Sequence, residues 1–180
     1  MSKFKTIAVI FAILGLITTS AMAKSAKTLD NEANLAINKF IEENKSADAF
    51  LVKSKAFLVF PSVKQAGFFI GGKYGEGVLR IGRKTKGYYS MTSASIGMQM
   101  GAQEYSLVIA FTTDASLNKF LLSDDEWETE VDGKIALAEW NSKEELDTEY
   151  DDPMVAFVFD SKGLMGSFSM EGTKFKKLKP

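Results

Sequence analysis

Histidine and cysteine are both absent from this 180-residue chain. Their absence removes the usual imidazole base, the thiol nucleophile and most zinc-binding sets. Only serine, lysine and carboxylate chemistry remains. Ser93-Ala94-Ser95-Ile96-Gly97 lacks the Gly-x-Ser-x-Gly context that exposes a nucleophile on a strand-to-helix turn. The acid pairs Asp124-Asp125 and Glu144-Glu145 lie in polar stretches and read as solvated loops. Asp147, Glu149, Asp151 and Asp152 begin like an ion loop, but the turn glycine and the closing glutamate are missing. Gly71-Gly72-Lys73-Tyr74-Gly75-Glu76-Gly77 fits neither the phosphate-loop nor the dinucleotide pattern. The residue types therefore point to a protein that is not an enzyme, with no metal and no cofactor.

What the chain does offer is asymmetric charge. Lys53, Lys55, Lys64, Lys73, Arg80, Arg83, Lys84 and Lys86 face a single acid, Glu76, over residues 53–86, although the whole chain carries a formal net charge of −1. Residues 114–160 hold fifteen acids, and the tail turns basic again at Lys174, Lys176, Lys177 and Lys179. Such a distribution can orient a protein on an anionic surface. Lys53, Lys55, Lys64, Lys73, Arg80, Arg83 and Lys84 are the candidate head-group ligands, with Phe68 and Phe69 as apolar contacts. The competing reading is that alternating strand residues simply face water. Nucleic acid is a poor partner for a net-negative chain.

Lys3 and Lys5 precede an apolar run from Ile7 to Ile17, followed by Thr18-Thr19-Ser20-Ala21-Met22-Ala23. A positive start, a short apolar core and an Ala-x-Ala end describe a cleavable secretory leader, cut after Ala23. The run is shorter than the roughly 20 apolar residues that span a bilayer. The expected organisation is a signal peptide, 1–23, and one domain, 24–180, delivered to the periplasm. Without cysteine, an oxidising compartment adds no disulfides.

The elements that must position the basic residues follow from pattern. Leu29, Ala33, Ala36, Ile37, Phe40 and Ile41 recur at helical spacing and predict an amphipathic helix over Thr28–Glu43. A shorter helix is expected from Ser46 to Ser54. Strands are expected over Ala56–Phe60, ended by Pro61, then Ala66–Tyr74 and Gly77–Gly82 about a glycine turn, Tyr88–Met91, Thr92–Ala102 and Tyr105–Thr113. Asp114–Leu122 reads as a short helix. Trp127–Val131 and Ile135–Trp140 suggest a hairpin across Asp132-Gly133. Asn141–Asp152 reads as a loop, and Pro153–Phe159 with Leu164–Glu171 as a closing strand pair. The fold class is α+β and β-rich: a strongly curved or barrel-like antiparallel sheet with amino-terminal helices and one mid-chain helix.

Four blocks carry a resemblance: Lys53-Ser54-Lys55-Ala56-Phe57-Leu58-Val59-Phe60-Pro61; Lys64 to Leu79 with its five glycines; Tyr88-Tyr89-Ser90 with Ser93 to Gln103; and Lys162-Gly163-Leu164-Met165 with Glu171-Gly172. In this order the chain resembles the SYLF lipid-binding domain, in its secreted bacterial branch. The resemblance implies a non-enzymatic protein that binds lipid or associates peripherally with a membrane. The partner it implies is an anionic phospholipid of the bacterial envelope. Phosphoinositide-binding members use a basic amino-terminal segment, whereas the helix here carries Asp30, Glu32, Glu42 and Glu43. Eukaryotic relatives have actin-linked roles, and no actin partner is expected for a secreted chain. The alternative is an envelope protein–protein interaction or structural module that binds no lipid.

Overall fold

The run Ala56–Phe60 is buried at every position, which requires a strand covered on both faces. The computed structural model supplies the two covers. It describes residues 24–44, 46–67, 70–96, 101–123, 126–138, 151–162 and 168–180. Helices α1 (Ala26–Glu43) and α2 (Ala47–Lys53) come first, then strands β1 (Ala56–Gly67), β2 (Ile70–Ile81), β3 (Lys84–Ile96) and β4 (Gly101–Phe111). Helix α3 (Asp114–Leu121) precedes β5 (Glu126–Glu128), β6 (Ala136–Leu137), β7 (Met154–Lys162) and β8 (Lys174–Leu178). The eight strands form one sheet in the order β5-β8-β3-β2-β1-β4-β7-β6. All pairings are antiparallel except β6 with β7.

The sheet curls into a half-barrel. Phe60 on β1 and Phe175 on β8 are separated by two intervening strands, yet their ring centroids lie 5.8 Å apart. In a flat sheet three strand spacings would hold them about 14 Å apart. Inside the curl, Leu58, Phe60, Leu79, Met91, Leu107 and Ile109 pack with Leu117 and Phe120 of α3. On the outer face, Phe57, Val59, Val78, Val108 and Phe157 pack beneath α1 and α2.

Helix α1 starts where the Ser25 hydroxyl accepts from the Thr28 backbone N–H at 3.3 Å, a side-chain cap of an orphan donor. It buries Leu29, Ala33, Ala36 and Phe40, so its apolar face is spent on the core. Fully burying a side chain such as Phe40 or Leu29 is worth about 1.5–3 kcal/mol. The Asn44 amide donates to the Phe40 carbonyl at 2.7 Å and closes the last turn.

Pro61 does not end β1. The register slips beside it, between Val59 and Ser62 against β2 and between Phe60 and Val63 against β4. A residue with no N–H fits where the ladder is interrupted. Opposite the slip lies Gly77, where a Cβ would stand 2.4 Å from the Val59 carbonyl oxygen and 2.5 Å from the Phe60 ring. Only glycine fits there. The expected glycine turn is therefore the middle of one continuous strand, β2.

Other expectations fail for a shared reason. Trp127 and its neighbours pair with β8, and Ala136–Leu137 with β7, so no hairpin forms across Asp132-Gly133. Strand β7 lies between β4 and β6, and the described part of Leu164–Glu171 (168–171) is not strand. Of the expected loop Asn141–Asp152, residues 141–150 lie outside the described residues, as do Phe68 and Phe69, while Asp151 and Asp152 are exposed and in neither helix nor strand. For Trp127, Ala136–Leu137 and β7, long-range pairing overrode the local pattern.

Candidate functional site

The fold sends the seven candidate cations to different places, and along β2 strand alternation separates Lys73 from Arg80. Lys73 points into the curl and is only 6% exposed. Its ammonium donates to the Ser169 carbonyl at 2.7 Å and sits 4.5 Å from the centroid of the Phe168 ring. Burial pushes its pKa down. Tyr105 meets the same Phe168 edge-on at 5.3 Å; its buried hydroxyl has no partner among the described residues, and burial pushes its pKa well up.

Arg80 points the other way, beneath α1, and is 9% exposed. Its guanidinium donates to Asp30 Oδ1 at 3.3 Å and to Asn34 Oδ1 at 3.0 Å. Asp30 also accepts from the hydroxyls of Thr85 at 2.6 Å and Tyr88 at 3.0 Å. This cluster joins α1 to β2 and β3. Lys55 is exposed and paired with Asp114 at 3.3 Å; Lys53 is exposed in the last turn of α2. Neither Lys73 nor Arg80 is available to a lipid head group. The single basic face expected from sequence is divided between interior, outer face and rim.

Arg83 and Lys84 remain exposed at the β2–β3 hairpin, with Lys86 beside them. The fold then adds cations that the local pattern did not join to them. Strand β8 pairs with β3 so that Leu178 opposes Tyr88 and Lys177 opposes Tyr89. Lys177 and Lys179 are exposed, and at about 3.3 Å per residue the hairpin cations begin within about 13 Å of that pairing. Among the described residues none of Arg83, Lys84, Lys86, Lys177 and Lys179 makes an ion pair. Lys174, by contrast, is held by Glu126 at 2.7 Å and Glu128 at 3.1 Å, which raise its pKa.

A pocket of about 230 Å³ adjoins this rim, lined by Tyr89, Phe120, Leu121, Trp127 and Phe175 together with the polar Ser123, Glu126 and Lys177. Apolar surface is exposed at the end of α3. Leu121 is 44% exposed and Leu122, next in the chain, 78%. They close α3, whose Leu117 and Phe120 are buried, so the helix is anchored while its last residues face out. This tip shares its pocket with Lys177 and Glu126, and an anchored apolar tip beside a cation suits an anionic interface that is oily just beneath its charge. No described helix is long and apolar enough to cross a membrane.

A second feature is a cleft of about 590 Å³ between α1 and the slip in β1. It is lined by cations and carboxylates together, including Lys24, Lys39, Lys64, Glu32, Glu76 and Asp160. Lys39 pairs with Asp160 at 2.5 Å and Lys24 with Glu32 at 2.6 Å. Lys64 is exposed at its edge. The described residues contain no cluster of acids able to hold a metal ion.

Comparison with known proteins adds the following. Residues 92–179 match the Ysc84 family, described as a Las17-binding protein actin regulator. The chain is also 28% identical over 156 residues to Beta cell expansion factor A of Aeromonas veronii. That alignment covers 85% of this chain and 58% of the relative, so the chain spans less than two thirds of that protein's length.

Proposed function

This chain belongs to the SYLF family, which is associated in general with lipid and membrane binding and is not known for enzymatic activity; on that premise we propose that it is a secreted, non-enzymatic protein that docks peripherally on anionic envelope lipid. The docking surface is the rim built by Arg83, Lys84, Lys86, Lys177 and Lys179, with Leu121 and Leu122 as its apolar contacts. The observation that carries this reading is the pairing of β8 with β3, which brings Lys177 and Lys179 towards Arg83, Lys84 and Lys86, none of which has an acid partner among the described residues. Each cation near such a surface contributes about 1 kcal/mol. Leader removal after Ala23 delivers the chain to the periplasm, where phosphatidylglycerol and cardiolipin supply the anionic charge. The actin role in the family's description belongs to proteins that meet actin, and a secreted bacterial chain does not.

Flotation of the mature chain with phosphatidylglycerol vesicles tests this. Binding at 20 mM salt that falls steeply by 300 mM is expected, because exposed attractions are screened over about 10 Å at 0.1 M. Absence of flotation at any salt, with one stoichiometric envelope protein recovered instead, would replace lipid with a protein partner.

A further inference from the structure

We infer that cleavage after Ala23 creates an internal ion pair in which the new α-ammonium of Lys24 docks on the carboxylate of Glu76. The inference rests on the proposed secretion and on cleavage at that bond. In the uncleaved chain the Lys24 backbone N–H already donates to Glu76 Oε2 at 3.2 Å. The Tyr74 hydroxyl donates to Oε1 of the same carboxylate at 2.7 Å. Glu76 is 9% exposed and has no cation paired with it among the described residues. The Lys24 side chain does not serve it, being committed to Glu32 at 2.6 Å.

A carboxylate withdrawn from water and held by two neutral donors lacks its natural counter-charge. Hydrolysis of the Ala23–Lys24 bond supplies one without moving an atom of the fold: the donating amide nitrogen becomes an ammonium in place. The position is fixed from both sides, since Ser25 caps α1 and Lys24 is clasped by Glu32. The charge tally of the cleft agrees. Its lining holds three lysines (Lys24, Lys39, Lys64) against four carboxylates (Glu32, Glu76, Glu104, Asp160), and the α-ammonium makes it four against four. Processing thereby ties the start of α1 to β2 by a charged contact that the precursor lacks.

The groups facing the new amine are Glu76 and Tyr74 on β2, Glu32 and Lys39 on α1, Lys64 on β1, Glu104 on β4 and Asp160 on β7. Tyr74 is pushed up to about 12, chiefly by burial and then by Glu76, so it stays a neutral donor. An α-amine paired with Glu76 titrates above its ordinary value of about 7.7–8.0. Its stabilisation is complete below that value and is lost as pH rises through the folded one.

The test uses the chain beginning at Lys24, released from a fusion by a protease, and the same chain preceded by Gly-Ser, each with Glu76 intact or as Glu76→Gln. At pH 6.5 the extension is expected to lower Tm by about 4 °C or more, and Glu76→Gln is expected to erase that difference. Equal Tm values with Glu76 intact overturn the inference. Should Glu76→Gln fail to fold, acylation of the Lys24 α-amine at pH 7 supplies the second readout. It is expected to run about tenfold slower in the native chain than in urea, matching a pKa rise of one unit, and equal rates overturn the pairing. Intact mass of the exported protein reads the premise separately. A first residue other than Lys24 overturns the inference and leaves vesicle binding unaffected.

Discussion

Arg80 and Arg83 stand three residues apart, and the fold uses them in opposite ways. Arg80 lies beneath α1, held by Asp30 and Asn34, and joins helix to sheet. Arg83 stands on the hairpin with Lys84 and Lys86, facing solvent beside Lys177 and Lys179. The outer face carries basic residues as well, but there the acids of α1 and β7 answer them at Arg80–Asp30, Lys24–Glu32 and Lys39–Asp160. A basic residue becomes an interaction surface only where topology leaves its charge unanswered.

That contrast can be broken first where the fold is tightest. Gly77→Ala drives a methyl group into the Val59 carbonyl and the Phe60 ring, and is expected to cost about 3 kcal/mol or more in urea denaturation. Arg80→Ala comes next, at about 2 kcal/mol, less than a fully buried pair because Asp30 is partly exposed and keeps Thr85 and Tyr88 as donors. Both losses belong to stability and appear without lipid.

At the rim the pattern inverts. Lys84→Glu and Lys177→Glu should each leave stability within about 0.5 kcal/mol while weakening binding to anionic vesicles about tenfold at low salt. A stability loss at either position comparable to that of Arg80→Ala would mean the rim is structural too.

Lys73 sharpens the comparison from the interior. Folding there costs the desolvation of a cation, so Lys73→Met is expected to raise stability by about 1 kcal/mol at pH 7. In the parent chain the folded lysine releases its proton below the ordinary 10.5 while the unfolded one still holds it. Stability therefore rises as pH climbs through the folded value towards 10.5, and then levels. Denaturation series from pH 7 to 10.5 should show that rise in the parent and a flatter profile in Lys73→Met.

The helices were legible because their signals are local: Leu29, Ala33, Ala36 and Phe40 repeat at helical spacing, and Leu117 and Phe120 anchor α3. The curvature was legible in the glycines of β2. Strand limits were not, because Pro61 reads as a terminator until the register slip beside it is seen. The basic rim was half legible: Arg83 and Lys84 were identified, but Lys177 and Lys179 reach them only through the β3–β8 ladder. The period-2 rule could have separated Lys73 from Arg80, since they lie an odd step of seven positions apart and β2 is one continuous strand.

One side-by-side measurement bears most directly on the docking surface: flotation with phosphatidylglycerol vesicles at low salt of a rim variant, Arg83→Glu with Lys84→Glu and Lys177→Glu, against Lys64→Glu at the edge of the cleft beside α1. The rim variant should stay in the unbound fraction and the cleft variant should float as the parent does. Equal flotation of both, or loss only in Lys64→Glu, contradicts the assignment of the rim.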